Sequence, residues 1–280
     1  MEKCKVSIIM SCYNAQNTVA RAINSVLKQT YSNWELIIVD DASTDNSLKV
    51  IKKKAEGEER IKVIQHTENK GAGVSRKDGI AVITGDYTTF LDSDDTLVEK
   101  ALEILVNNAL ETNADMVSPG YRSIDTKEII NRMPKARIVE GMNKYAIDTS
   151  DALRFLNPCL VKATLWNKVT YSTRRFVEDT PTLVQLLFFA NKRSIISDVT
   201  YNYYQNASSL CHQATEVKKS IYMALCAMDS YKFFKSQNAH YPISVVFLRL
   251  SEINIDTVKG FKEEKKEIIN FLNTYINYED

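Results

Sequence analysis

From Lys5 to about Asp92 the spacing of apolar positions switches repeatedly between two periods. The run VSIIM is apolar on successive positions, as suits a strand covered on both faces by helices. After Asn17 the pattern changes, and Val19, Ile23, Val26 and Leu27 fall at i, i+4, i+7 and i+8, one stripe of a helix. ELIIVD reads as a second buried strand, residues 45–54 as a polar-capped helix, IKVIQH as a third strand, 73–83 as a third helix and YTTFLD as a fourth strand. This alternation predicts a doubly wound, mostly parallel α/β sheet, whose ligands bind beyond the carboxyl ends of the strands. Polar residues collect at those ends: SCYN after the first strand, DDASTDN after the second, HTENKGAG after the third and DSDD after the fourth. Hydroxyls, amides and carboxylates gathered on one rim describe a site, where a solvated surface would scatter them.

A helix over 96–111 and a short strand, ADMVS, come next, and then the period is lost. Residues 120–150 are polar and irregular and read as a variable region over or beside the site. Order returns with NPCLV, the Trp166 segment, a helix over 179–190 and the strand-like VTYNYYQ. Beyond Glu216 the chain is helical in composition. SIYMALCAMDSYKFF is apolar or aromatic on most sides, which favours a buried or homodimer-facing helix over peripheral contact with a membrane surface. The expected organisation is a domain over 1–215, divided near 115, followed by a helical C-terminal extension over 216–280.

Composition narrows the function classes. A chain of 280 residues is long enough for one large α/β domain with an appendage. With 36 Lys+Arg against 35 Asp+Glu and no block of like charges, nothing marks a dedicated nucleic-acid surface. The cysteines, Cys4, Cys12, Cys159, Cys211 and Cys226, are odd in number, scattered and never in a C-x-x-C pair, which predicts free thiols and a cytoplasmic location. The apolar run in MEKCKVSIIMSCYN is too short for a signal sequence. LVQLLFFA and ISVVFL fall far below the roughly 18 residues that a membrane span needs.

Asp92, Asp94 and Asp95, crowded at the tip of the fourth strand, repel one another and gain nothing from packing, so their natural partner is cationic. A calcium-binding EF-hand loop counted from Asp92 needs glycine at its sixth position, and Leu97 stands there. FLDSDDT also matches the D-x-D-x-T signature of haloacid-dehalogenase-like phosphatases, with Asp92 as nucleophile, Asp94 as general acid and Glu178 and Asp179 as later acids. That family usually opens its domain with this strand, whereas here the strand comes fourth.

Taken together, VSIIMSCYN, QTYSNWELIIVDDASTDNS, ENKGAGVSRKDGI and YTTFLDSDD resemble, in order and spacing, the N-terminal half of family-2 inverting glycosyltransferases of GT-A fold. The resemblance is close over about the first 115 residues and weaker through WNK and VED to roughly Ser209. Two departures are Ser11, where the family often has proline, and RKDG, where it commonly shows Arg-Asn-x-Gly. The resemblance implies a Rossmann-like sheet, with 1–115 the nucleotide-sugar-binding half and 116–215 the acceptor-side half. It implies hexosyl transfer from a nucleotide-diphosphate donor, with a UDP-sugar favoured, to a hydroxyl of a glycan or lipid-linked saccharide. Bacterial surface polysaccharide synthesis at the inner face of the membrane is the setting it suggests.

The same resemblance assigns roles. Ser11, Tyr13, Asn14, Asp41, Lys70, Arg76, Asp92 and Ser93 would bind the donor. Tyr13 would cover the base with its ring, and Asp41 would accept the imide N–H of uracil. Lys70 with Gly71 would let backbone approach the donor, and Arg76 would pair with the aspartates or the diphosphate. Asp94 would be the direct ligand of Mn²⁺ or Mg²⁺, with Asp92 on the ribose or a metal-bound water and Asp95 supporting both. His212 is a further candidate metal ligand. Asp179 would be the base that deprotonates the acceptor hydroxyl in a single inverting displacement, Glu178 would orient the acceptor and Trp166 would form its sugar platform. A non-catalytic nucleotide-binding module, the other alternative, calls for these carboxylates to be missing, and they are present.

Overall fold

The computed structural model describes residues 4–125, 128–141, 156–205, 214–239, 246, 249–251, 253 and 261–275. The chain divides into two compact units, Met1–Asn206 and Ala207–Asp280.

In the first unit β1 (Val6–Cys12), α1 (Val19–Leu27), β2 (Trp34–Asp40), α2 (Ser47–Ala55), β3 (Ile61–Gln65), α3 (Ala72–Ile80) and β4 (Tyr87–Phe90) alternate as the switching period predicts. They are followed by β5 (Thr96–Leu97), α4 (Ala101–Thr112), β6 (Met116–Ile124), β7 (Ile129–Arg132), β8 (Arg137–Glu140), β9 (Leu160–Lys162), a 3₁₀ turn (Ala163–Asn167), α5 (Asp179–Phe189) and β10 (Lys192–Tyr204). One sheet runs in the order β3-β2-β1-β4-β9-β6-β10-β5, with β7 added on β6 and β8 on β10. The first four strands are parallel, with Ile8 of β1 opposite Leu36 of β2 on one side and Thr89 of β4 on the other. β9 is antiparallel to both β4 and β6, so β6 and its parallel neighbour β10 point the same way as β1. Six strand ends therefore open onto one edge: those of β1, β2, β3, β4, β6 and β10.

Helices cover both faces because β1 is apolar on both. Val6, Ile8, Met10 and Cys12 enter a core with Val19 and Ile23 of α1, Ile51 of α2 and Leu102 of α4, while Ile9 enters a second with Phe90, Leu183 and Leu186. Each such side chain stabilises the fold by about 1.5–3 kcal/mol through removal from water. This is the mixed α/β sheet flanked by helices that the period implied.

Two expectations need correction. The helix expected from residue 96 starts at Ala101, because Thr96 and Leu97 pair antiparallel with Asn202 and Tyr201 as β5. Strand pairing at the sheet edge overrides the local helical pattern there. The described part of 120–150 is not irregular: β6 extends to Ile124, and β7 and β8 follow as edge strands. Their sequences, IINR and RIVE, are mostly solvent-facing, so the apolar alternation that marks a half-buried strand is weak.

In the second unit, α6 (Glu216–Ser236) and α7 (Lys262–Tyr275) pack together. Ile221, Leu225 and Met228 share a core with Ile268 and Phe271, and the Tyr231 and Phe271 rings meet edge to face at 5.8 Å. Much of the apolar surface of α6 is thus covered within the unit. No helix among the described residues is long and apolar enough to cross a membrane.

Candidate active site

The DSDD loop leaves β4 at the centre of the open edge and is held from two sides. The Asp92 N–H donates to the Tyr201 hydroxyl at 3.2 Å, that hydroxyl donates to Asp95 Oδ2 at 2.8 Å, and the Tyr204 N–H donates to Asp95 Oδ1 at 2.8 Å. From α1, Arg21 donates to the Asp94 carbonyl oxygen at 2.5 Å while its guanidinium lies 3.6 Å over the Tyr204 ring. Burial, and then the neighbouring Asp92 charge, push the Asp94 carboxyl up to about 6. Asp95 is raised as well, by burial and by Asp92 and Asp94. A cation beside the loop would relieve that burial and repulsion. Among the described residues no group of three or more His, Cys, Asp or Glu side chains is placed to hold a metal by itself.

Arg76 links this loop to the other half of the site. One turn into α3, its buried guanidinium donates through Nη2 to Asp92 Oδ1 at 2.6 Å, and through Nη1 to Glu178 Oε1 and to the Tyr171 hydroxyl, the latter at 3.3 Å. A buried cation needs such partners, and here they come from β4 on one side and the start of α5 on the other. Close packing makes the span possible: a Cβ added at Gly73 would run into the Ser172 carbonyl oxygen and lie 3.1 Å from Thr173 Cα. At Gly71, φ is 91°, a left-handed conformation that glycine adopts without strain.

Asp179 is the first residue of α5. Burial, and then the adjacent Glu178 charge, push its carboxyl up to about 7. Two residues earlier Val177 has φ 56°, an unfavourable conformation for a β-branched side chain. Pro181 follows in the first turn, where its missing N–H costs nothing. A carboxyl poised near neutrality on the open edge has the character of a general base.

The remaining sequence-derived candidates fall into distinct places. Asp41 accepts from His66 Nδ1 at 2.7 Å, the Lys70 N–H at 2.9 Å and the Gly71 N–H at 2.7 Å. Burial alone would raise its carboxyl, but those donors hold it below the usual range. Ser11 and Ser93 are half-buried at the ends of β1 and β4, and the Lys70 side chain is exposed. Tyr13 is 49% exposed, with its ring available to a flat partner. Asn14 Oδ1 accepts the Thr44 N–H at 2.8 Å, so its amide ties the loop after β1 to the loop after β2. Trp166 donates its indole N–H to Thr88 Oγ1 at 2.9 Å, and its ring packs against Phe90 and Tyr171. His212 lies outside the described residues.

Sequence reasoning missed Arg21, His66, Tyr171, Tyr201 and Tyr204. His66 was the findable one, a histidine directly after a strand on the polar rim; the others act through contacts across 73 to 109 residues of chain.

Comparison with known proteins identifies the family and the fold. The family described as Glycosyl transferase family 2 matches residues 7–198. The chain is 30% identical to glycosyltransferase GlyG of Streptococcus pneumoniae serotype 4, over 92% of this chain and 88% of that protein. It is 30% identical to the poly(ribitol-phosphate) beta-N-acetylglucosaminyltransferase TarP of Staphylococcus aureus, over 99% of this chain and 84% of that protein. The crystal structure of S. aureus TarS 1-349 in complex with UDP-GlcNAc superposes with a TM-score of 0.72 at 23% identity, covering 98% of this chain and 81% of that one, which establishes the GT-A fold. The protein is a glycosyltransferase enzyme, and the chain belongs to glycosyl transferase family 2.

Proposed function

We propose that the enzyme transfers a hexosyl unit from a UDP-sugar to a hydroxyl of a glycan or lipid-linked saccharide, with inversion, in bacterial surface polysaccharide synthesis. One observation carries the reading: Arg76 joins Asp92 to Glu178, setting an acidic loop suited to the donor across from Asp179, whose carboxyl is pushed up to about 7. Arg76 engages Glu178 and makes no hydrogen bond to Asp179, which leaves Asp179 as the base and Glu178 to orient the acceptor. Asp179 takes the hydroxyl proton as the acceptor oxygen bonds to the anomeric carbon, the bond from that carbon to the diphosphate oxygen breaks, and UDP departs from the opposite face. Asp41 binds the base, Tyr13 covers it, and Arg76 and Asp92 face the diphosphate side.

The acidic loop fits a divalent cation, since its donors are hard carboxylate oxygens whose mutual repulsion a cation relieves. Asp94 would hold Mn²⁺ or Mg²⁺ directly, with Asp92 on the ribose or a metal-bound water, and the cation would supply Lewis-acid stabilisation of the leaving diphosphate. Support for the donor comes from TarS, bound to UDP-GlcNAc, and for a polymeric acceptor from the name of TarP. The phosphatase alternative is set aside by family membership, and Asp92 is held by Arg76 rather than free for attack.

The test is a panel of UDP-sugars with Mn²⁺ and saccharide acceptors, read as UDP release with and without chelator. Release that depends on the cation and on an acceptor supports the proposal. Turnover unaffected by chelator contradicts the cation, and turnover only with another nucleotide contradicts UDP.

A further inference from the structure

Between β2 and α3 a buried imidazole lies between two carboxylates. His66, 7% exposed, places Nδ1 2.7 Å from Asp41 Oδ1 and Nε2 3.1 Å from Asp78 Oδ2. The His66 backbone N–H donates to the Asp40 carbonyl oxygen at 2.9 Å, fixing the residue to the end of β2. Asp78 belongs to RKDG, where the chain departs from the family's usual Arg-Asn-x-Gly. The departure itself is Lys77, in the place of the asparagine; Asp78 falls at the variable position, where it contacts the histidine that meets Asp41.

Counting acceptor places on Asp41 shows what the contact does. A carboxylate only accepts, at about four lone-pair positions, so Nδ1 is the donor in its bond to Asp41. Oδ1 is filled by His66 and the Lys70 N–H, and Oδ2 takes the Gly71 N–H. One place remains, on Oδ2. Uracil presents one imide N–H.

We propose that His66 is a positioning residue for the donor base: braced by Asp78, it fixes the rotation of the Asp41 carboxylate so that the open place on Oδ2 meets the imide. The proposal rests on the UDP-sugar reading above. Because Asp78 and Arg76 share α3, the same brace ties the base contact to the helix whose arginine reaches Asp92. Without His66 the carboxylate keeps only the Lys70 and Gly71 N–H bonds, both from one loop, and loses its tie to Asp78 on α3, so its oxygens are held less closely toward the base.

The experiment is calorimetric titration of UDP, and separately of inorganic diphosphate, both with Mn²⁺, alongside donor KM and kcat. Asp41→Asn is the reference variant. His66→Leu should weaken UDP binding about tenfold, the scale of one hydrogen bond to a charged group, raising donor KM much more than it lowers kcat. Diphosphate lacks the base, and its affinity should hold. His66→Asn, whose Nδ2 can replace Nδ1 toward Asp41, should restore most of the UDP affinity, and His66→Leu should add little in an Asp41→Asn background. If Asp41→Asn weakens UDP binding and His66→Leu does not, the positioning role is overturned while the donor reading stands. Equal losses for UDP and diphosphate also overturn it, since they mark general disruption. UDP affinity unchanged in Asp41→Asn removes the base contact itself, and the inference with it. Should His66→Leu fail to fold, Asp78→Ala decides, at a side chain 42% exposed. Weaker UDP binding with diphosphate binding intact supports the proposal, and unchanged UDP binding overturns it.

Discussion

At Asp179 one shifted carboxyl has two consequences of different kind. A base must be ionised, so kcat should rise with pH through about 7 and level off above it. A pH–rate profile flat from 5 to 8 contradicts the assignment. The second consequence concerns stability. The folded carboxyl titrates near 7 against an ordinary 3.8, so between those values the folded protein keeps a proton that the unfolded chain has lost. Its contribution to stability is fully present below the ordinary value and lost as pH rises through about 7. Asp179→Asn, which never ionises, should therefore melt a few degrees above the parent at pH 8 and close to it at pH 4, as scanning calorimetry can show. A lower Tm at pH 8 contradicts the buried charge. Glu35 has the opposite sign. Burial alone would raise it, but Lys62, Ser7 and Thr84 outweigh burial and hold it at about 2. Its stabilisation is present above the ordinary carboxylate range and lost as pH falls through about 2, so Glu35→Gln should cost about 2 kcal/mol in urea unfolding at pH 7.

Among the elements, α3 does the most for the site, since its first turn meets Asp41 through Gly71 and its second reaches Asp92 and Glu178 through Arg76. The glycine between them sets the distance. Gly73→Ala should push the Ser172–Arg174 segment away, costing about 1–3 kcal/mol of stability and a larger share of turnover than of UDP affinity. Parental turnover in this variant contradicts the close approach. The alternating elements from β1 to β4 were legible because each buries a continuous or periodic apolar face. β7 and β8 were not, because edge strands bury too little to leave a pattern, and β5 was hidden because its two residues become a strand only when β10 arrives. Site residues followed the same division. Carboxylates at strand ends stood out, since strand direction alone brings Asp41, Asp92 and Asp94 to one edge. Arg21 and Tyr201 carry no local signal, because they act on the acidic loop from 73 and 109 residues away. Trp166, singled out as a sugar platform, spends its N–H on Thr88, a bond that spacing could not reveal.

Across the whole molecule, the parallel strands bring one set of carboxylates to the open edge, the mixed strands and α5 bring another, and Arg76 spans them. In the proposed function the two sets do different work. With Asp179 as the proposed base on the acceptor side, Asp179→Asn should lower transfer by about 10²–10⁴ while donor affinity hardly changes. Asp94→Asn should instead weaken Mn²⁺-dependent UDP binding as well as turnover. The most direct test is one paired measurement: UDP titration with Mn²⁺ and the sugar-transfer rate, on both variants and the parent. Slow transfer with intact UDP binding is expected for Asp179→Asn, and loss of both for Asp94→Asn. Transfer at the parental rate by Asp179→Asn would contradict it and move the base to Glu178.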